Sequence, residues 1–130
     1  MALRWYRSNL YNMKREHHII DAKGMVAGRM ASQISIFLQG KHKINYDPAT
    51  DCGDTVAIEN VADMKFTGKK MDTKLYHRTS RYPGHVKTTK LSEMMNISPS
   101  KLLQKMVFNM LPDNKLRKRL MTRLTFVKTK

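Results

Sequence analysis

Cysteine, acidic residues and long apolar runs are all scarce in this chain of 130 residues. Its one cysteine, Cys52, excludes an internal disulfide and any zinc site built from several cysteines. No run of ten apolar residues occurs, which excludes a transmembrane helix. The N-terminal segment lacks the apolar stretch of a secretory signal, so we expect no such signal there. Length and a hydrophobic content of 41% fit one folded domain that needs no disulfide or metal to fold.

Acidic residues number 10 against 25 lysines and arginines, which gives a net charge of +15. Such an excess does not dictate a fold, but it selects anionic partners: nucleic acid, an anionic membrane or an acidic protein. The excess lies in the second half, because residues 1–65 carry a net charge of +2 and residues 66–130 a net charge of +13. The second half is therefore the predicted binding surface.

Hydrophobic periodicity predicts strands that alternate with helices, followed by a helical end. A short strand at 18–21 precedes a helix at 27–39, which is expected to end at Gly40. The remaining predictions are a loop at 41–53, strands at 55–61, 66–67 and 73–78, a basic loop at 81–90, helices at 91–95 and 99–110, a helix with a seam of Leu116, Leu120 and Leu124, and an edge strand at 125–127. This order is typical of a layered α/β domain.

The predicted organisation is a basic N-terminal arm at 1–16, a single α/β domain at 17–127 and a short basic tail at 128–130. The arm interleaves aromatic and basic side chains and has no acidic residue before Glu16. That composition suits a mitochondrial presequence or a nucleic-acid-binding arm, and the alternative is a frayed terminus.

Two glycine turns could hold an anion. The segment 24–29 (GMVAGR) lies between a strand and a helix, where a phosphate could meet backbone N–H groups and the positive helix end. It lacks the G-x-G-x-x-G fingerprint, so a dinucleotide site is weakly supported, and a tight turn with close helix–sheet packing is the simpler explanation. The segment 67–70 (TGKK) lacks the first glycine and the Ser/Thr of a P-loop, which excludes nucleotide hydrolysis. The remaining interpretation of this segment is a glycine turn that presents two lysines to an anion or to solvent.

Two basic clusters stand out in the second half. The first spans residues 74–90 without any acidic residue and is bent at Pro83-Gly84; the second crowds the short helix after Pro112. Charge for phosphates and flat rings for bases are what an RNA surface needs, although a solvated face or a membrane-surface helix are alternatives. The predicted RNA-binding residues are Arg29, Lys41, Lys43, Lys69, Lys70, Lys74, His77, Arg78, Arg81, Tyr82, His85, Lys87, Lys115, Arg117, Lys118, Arg119 and Arg123.

No spacing of residues indicates a catalytic or metal centre. Asp47, Asp51 and Asp54 miss the calcium-loop pattern, and turn formation and capping explain them better. His17 and His18 are adjacent, so on a strand they point to opposite faces and cannot chelate one ion together. No Ser/His/Asp or Cys/His set is discernible, and we expect no cofactor and no small-molecule substrate.

Six motifs in order resemble the universal large-subunit ribosomal protein thirteen family. They are I-D-A-x-G-x-x-x-G-R-x-A-S at 20–32, G-K-x-K-x-x-Y-x-P at 40–48 with D-x-G-D at 51–54, T-G-K-K at 67–70, K-x-Y at 74–76, Y-P-G at 82–84, and M-L-P-x-N-x-L at 110–116 followed by Arg123-Leu124. The resemblance covers residues 18–127 and is to the bacterial-type branch, which organelles share.

The resemblance implies a three-layer α/β/α domain with a mostly parallel four-strand sheet and a helical C-terminal part. It also implies a structural protein of the large ribosomal subunit that binds large-subunit ribosomal RNA, acts in assembly and touches neighbouring ribosomal proteins. Neither enzymatic activity, a cofactor nor a membrane is implied.

Several departures from the family pattern indicate the cellular compartment in which the protein works. Ala27, Arg81 and His85 differ from the usual residues, the chain has 11 methionines, and its arm is poor in acids. These features favour a mitochondrial ribosome in the matrix over a bacterial one in the cytoplasm. Outside the ribosome, the alternatives are a general DNA- or RNA-binding protein and a small nucleotide-binding enzyme that uses the turn at 24–28.

Overall fold

The computed structural model describes residues 14–127, so the predicted tail and most of the predicted arm lie outside the described residues. The elements are β1 (His17–Asp21), α1 (Ala27–Gln39), β2 (Thr55–Glu59), a 3₁₀ turn (Val61–Asp63), α2 (Lys70–Thr73), β3 (Leu75–Thr79), β4 (Val86–Lys90), α3 (Leu91–Ile97), α4 (Pro99–Met110), α5 (Arg117–Thr122) and β5 (Leu124–Phe126). The predicted mixed α/β class, with helices concentrated in the C-terminal part, is confirmed.

Three strands form a parallel sheet in the order β1-β2-β5. The resemblance implied four strands, and this number is wrong for the described residues. A single parallel bridge between Val26 and Lys65 stands close to where a strand at 66–67 was predicted. It does not extend into a strand because the chain turns away at once at Gly68, which adopts φ 65°.

Helices α1 and α5 contact this sheet, at β2 and β5 respectively. Met30, Ile34 and Leu38 of α1 meet Val56 and Ile58 of β2 in one buried cluster. The same cluster includes residues of the C-terminal helices and of β5, namely Leu91, Leu102, Leu103, Val107, Leu120 and Leu124. The opposite face carries exposed side chains, among them Ile19 at 64% and Thr125. The main buried core of the described residues therefore lies on the face of the parallel sheet that carries Val56 and Ile58.

Helix α1 ends as predicted at Gly40, where the backbone adopts φ 75° and the N–H donates to the Ile36 carbonyl at 3.0 Å. The following loop returns to pass directly against the end of this helix. A Cβ atom built on Gly53 would lie 1.7 Å from the carbonyl oxygen of Leu38. Only a residue without a side chain fits there, so this close approach fixes the path of the chain into β2.

The two glycines of the turn at 24–28 differ in backbone conformation. Gly24 adopts φ 72°, a left-handed conformation that favours glycine. Gly28 lies in the first turn of α1, and a Cβ atom built there would meet nothing within 4 Å. Close helix–sheet packing, one explanation predicted for these glycines, is therefore wrong for Gly28.

A separate antiparallel ribbon is formed by β3 and β4. The prediction of an extended segment at 73–78 is confirmed within one or two residues at its ends, but the prediction of a loop through 86–90 is wrong. Leu75 pairs with Lys90, and the register continues to Thr79 opposite Val86. Both strands are largely exposed, so β4 carries no apolar alternation from which periodicity could have detected it.

The C-terminal part follows the predictions with one shift. Helices α3 and α4 are confirmed, and Pro99 stands in the first turn of α4 as expected. Leu124 was predicted in a helical seam, which is wrong: it begins β5 and pairs with Val56 at the edge of the parallel sheet. The predicted edge strand is thus confirmed one residue earlier.

No helix among residues 14–127 is long and apolar enough to cross a bilayer.

Candidate nucleic-acid interface

The ribbon of β3 and β4 presents a basic surface to solvent. Arg78 and Lys87, both exposed, stand directly opposite each other across the two strands. Like charges in such a pair destabilise a ribbon unless an anion lies between or above them. His77 is likewise exposed, and its Nδ1 lies 3.0 Å from Thr88 Oγ1 on the partner strand. The ribbon's charge pattern therefore suits a surface built to meet a polyanion.

The ribbon ends in a tight turn that projects an aromatic ring. The N–H of Ser80 donates to the carbonyl of His85 at 2.9 Å, and Gly84 adopts φ 79° to complete the turn. Tyr82 at this tip is 79% exposed, and Arg81 beside it is also exposed. An exposed ring between basic side chains can stack on an unpaired base while its neighbours contact phosphates.

At its base the ribbon is joined to helix α4 by a tyrosine between two lysines. The Nζ atoms of Lys74 and Lys105 lie 5.4 and 4.7 Å from the centre of the Tyr76 ring, within the range of cation–π interactions. The exposed Lys69 and Lys70 lie just before, where α2 begins and contacts β4. The first predicted cluster therefore continues onto α4.

An open groove between α4 and α5 extends this basic surface. Phe108 and Met121 supply its apolar surface, and three lysines and a glutamine complete the lining: Lys101, Gln104, Lys105 and Lys118. Of these, only Lys118 was predicted. Lys101 and Lys105 could have been found as an i,i+4 pair on the helix face away from the buried Leu102 and Leu103, so their spacing was the missed signal.

The other exposed predicted residues lie elsewhere in the fold. Arg29 and Lys41 stand in the first turn of α1 and just beyond its last residue. Lys115 lies in the turn before α5, and Arg119 lies in α5 itself. All four side chains are exposed, but they are on different elements from the ribbon.

Arg123 is inside the protein, which corrects the expectation that it contacts RNA. The side chain is 8% exposed, and its Nη1 and Nη2 atoms lie 2.5 and 2.6 Å from the two carboxylate oxygens of Asp51. Nη2 also donates to the carbonyl of Leu38 at 3.1 Å. This bidentate pair fastens the start of β5 to the loop before β2 and to the end of α1. Turn formation, the predicted role of Asp51, is therefore not its main one.

This ion pair predicts a dependence of stability on pH. Burial alone would raise the pKa of Asp51, but the hydrogen bonds and charge of Arg123, with a smaller contribution from Arg15, hold it below its usual 3.8. A depressed folded-state pKa stabilises the protein above about pH 4, and that contribution is lost as the pH falls through the folded-state value. In urea unfolding, we expect Asp51→Asn to be less stable than wild type at pH 7 and the difference to shrink below pH 4. A constant difference would contradict this.

Arg117 is half-buried and also serves the fold. Its Nη2 donates to the carbonyl of Leu111 at 2.6 Å, and its Nη1 lies 3.1 Å from a carboxylate oxygen of Asp113. The guanidinium stacks 4.4 Å from the centre of the Phe108 ring. Asn114 Oδ1 accepts the N–H of Arg117, the first residue of α5, at 3.0 Å. Arg117 thus supports the groove rather than extending freely from it.

Comparison with known proteins identifies the family. A profile of the family described as ribosomal protein L13 matches residues 15–130. The chain belongs to this family. The resemblance inferred from the six motifs is confirmed.

Three relatives, each named large ribosomal subunit protein uL13, show the extent of the similarity. The protein of Symbiobacterium thermophilum is 39% identical over 119 residues, covering 92% of this chain and 83% of the relative. That of Chlorobium phaeobacteroides is 38% identical over 124 residues, covering 95% and 83%. That of Syntrophus aciditrophicus is 40% identical over 122 residues, covering 94% and 86%. All three organisms are bacteria.

Two motifs of the L13 family meet in a second groove. Tyr46 and Pro48 from the loop after α1 face Pro112 and Leu116 from the segment before α5, and Lys41 lines the same groove. These motifs are more than 60 residues apart in the chain. The fold thus explains part of the family pattern as packing between the loop at 41–53 and the C-terminal helices.

The family's D-x-G-D motif ends in a buried carboxylate, Asp54. The N–H of Glu16 donates to Oδ1 at 3.0 Å, and Lys43 Nζ contacts the same oxygen. Burial raises the pKa of Asp54, but the hydrogen bonds from Lys43, Glu16 and His18 outweigh it and hold the pKa at about 2. Lys43 also donates to two backbone carbonyls. Its ammonium is therefore engaged within the protein, which corrects the expectation of a free phosphate contact.

Proposed function

We propose that this protein is a structural constituent of the large ribosomal subunit and that it binds and organises large-subunit ribosomal RNA. Membership of the L13 family supports the ribosomal role. A non-catalytic role without a cofactor belongs to the same proposal, as do contacts with neighbouring large-subunit proteins. In this proposal the protein holds RNA segments in place by neutralising their phosphates.

The continuous basic surface is the observation that carries the RNA-binding proposal. It runs from the ribbon tip at Tyr82 through Arg78 and Lys87 to the Lys105 contact with Tyr76, and on to the groove between α4 and α5. Each phosphate that it neutralises releases a counterion, so binding should weaken steeply with salt. We exclude Lys43 and Arg123 from this surface because their charges are paired inside.

Matched double substitutions test the surface. Arg81→Ala/Lys87→Ala changes the ribbon, Lys101→Ala/Lys118→Ala changes the groove, and Lys23→Ala/Lys65→Ala removes two exposed charges elsewhere. Filter binding to large-subunit ribosomal RNA over a range of salt concentrations gives the slope of log K against log salt. We expect each of the first two variants to make this slope shallower by about 1.4–1.8, since each lost phosphate contact changes it by about 0.7–0.9.

The third variant is the control for charge alone. Its slope should change by less than about 0.5, because neither lysine lies on the proposed surface. If the control lost as much slope as the other two, binding would depend on net charge and the surface would be refuted. Equal affinity for duplex DNA would instead support the alternative of a general nucleic-acid-binding protein.

The compartment is a further part of the proposal. The composition of the arm favours a mitochondrial ribosome, whereas the named relatives are bacterial proteins. Sedimentation of a native lysate, with the protein followed by mass spectrometry, addresses both the ribosomal role and the compartment. Stoichiometric co-migration with the large subunit of purified mitochondria would support the matrix; recovery with the large subunit of a bacterial lysate would support the alternative.

A further inference from the structure

Four side chains that can bind a metal ion converge beside the start of the parallel sheet, away from the ribbon. The histidine–carboxylate cluster consists of Glu16, His18, His42 and Asp54. One ligand atom from each lies within 4.8 Å of every other. The residues come from the segment before β1, from β1 itself, from the loop after α1 and from the residue before β2. The sequence analysis weighed His18 only with His17, and Asp54 only with Asp47 and Asp51, so it missed His42 and the meeting of these residues.

The distances within this cluster suit a tetrahedral ion. The Nε2 atoms of His18 and His42 lie 3.1 and 2.9 Å from the same oxygen of Asp54, Oδ2. Zinc bonds of about 2.0–2.2 Å place neighbouring ligand atoms of a tetrahedron about 3.3–3.6 Å apart. Shifts of a few tenths of an ångström would bring these two contacts into that range, and the other ligand atoms already lie within 4.8 Å of one another. Two imidazole nitrogens and two carboxylate oxygens are also a donor set that zinc accepts.

The rings are held in place by a shared neighbour. His18 stacks on Phe37 with ring centres 4.3 Å apart, and His42 meets the edge of the same ring at 5.3 Å. Both imidazoles are thereby oriented with Nε2 toward Asp54. Packing against the shared Phe37 ring therefore restricts the rotation of both imidazoles.

Local charge also favours a cation, although the whole chain is strongly basic. Glu16 and Asp54 supply two negative charges, and Lys43 returns one positive charge. The lysine contacts Oδ1 of Asp54, which leaves Oδ2 to face the two histidines. The cluster thus keeps a net negative charge and an oxygen directed at its centre.

We propose that the histidine–carboxylate cluster binds one zinc ion. With four protein ligands the site would be closed and structural rather than catalytic. It would tie the segment before β1 and the loop at 41–53 to the start of β2. This proposal does not depend on RNA binding, because the cluster shares no residue with the proposed basic surface.

Zinc titration of the full chain tests the site. Protein stripped of metal by a chelator is titrated with Zn²⁺ in competition with a chromophoric chelator. We expect one ion per chain with a Kd below about 1 μM, and a Tm raised by roughly 5–10 °C at a zinc concentration one hundred times Kd. Cobalt substitution should give the visible bands of a tetrahedral site without a thiolate charge-transfer band, since Cys52 is not in the cluster.

Three substitutions and one control decide the assignment. His18→Gln and His42→Gln should each weaken zinc binding by at least about 100-fold, more than the loss of a supporting residue costs. Glu16→Gln removes an exposed ligand and keeps the test decisive if a histidine variant fails to fold. His17→Gln is the matched control, because His17 lies on the opposite face and its Nδ1 lies 2.8 Å from Thr55 Oγ1. A wild-type Kd above about 10 μM, or equal binding by wild type and the cluster variants, would overturn the proposal.

Discussion

Replacing Arg123 by alanine should lower the free energy of unfolding by about 3–5 kcal/mol, the usual cost of removing one partner from a buried ion pair. The substitution leaves the carboxylate of Asp51 without its bidentate partner and the carbonyl of Leu38 without a donor. The same change would also loosen the connection between β5 and the loop before β2. Urea unfolding followed by circular dichroism measures the effect.

Arg119→Ala is the control for this substitution. Arg119 is an exposed arginine of α5, four residues earlier, so its loss should change the free energy of unfolding by no more than about 0.5 kcal/mol. Arg119 can contact RNA, whereas Arg123 cannot without leaving Asp51. A stable Arg123→Ala variant with weakened RNA binding would contradict the structural role and restore the sequence prediction.

Gly53→Ala should be as damaging as any single substitution in the chain. The new Cβ atom would lie 1.7 Å from the Leu38 carbonyl oxygen and 2.7 Å from Nη2 of Arg123. One of these neighbours is backbone at the end of α1, so the loop would have to move and break the Arg123 contacts. We expect a loss of at least about 3 kcal/mol, or no soluble folded protein, since overpacking against backbone exceeds the usual cost of an added methyl group. Thermal unfolding of the two proteins compares them directly.

Gly28→Ala is the matched control for that loss. It adds the same methyl group at another glycine of the family motifs, but into open space and within the first turn of α1. Alanine favours a helix over glycine, so this variant should be more stable than wild type by up to about 1 kcal/mol. Destabilisation of similar size in both variants would show that added volume at Gly53 is not the cause.

The positions of the few acidic residues determine which basic side chains are paired inside the domain and which stay free at its surface. Of the 10 in the chain, Asp51 and Asp54 are used to pair cations inside the domain. Their partners, Arg123 and Lys43, therefore do not contribute free charge to the surface. The ribbon and the groove between α4 and α5 retain exposed lysines and arginines. In the ribbon, no acidic residue of the 74–90 segment offsets them. This sorting of charges explains why some predicted RNA contacts belong to the core.

Local sequence patterns determined the elements and the binding class. Helix α1, its end at Gly40, helix α4 and the strands β1 and β2 follow from periodicity and end signals, which act within one or two turns of chain. Net charge and its position in the second half determined the preference for a polyanion. The ordered motifs determined the family.

Only the tertiary structure decided which distant residues meet. Arg123 and Asp51 are 72 positions apart, and His42 reaches His18 only after α1 has crossed the sheet. Spacing along the chain carries no information on such pairs, because they depend on which strands pair and on which side the helix packs. The same applies to β4, whose exposed ribbon has no apolar period, and to Lys105, which joins the ribbon to α4 only through the ring of Tyr76. Charge could be counted from the sequence, but burial determined which charges are free to bind.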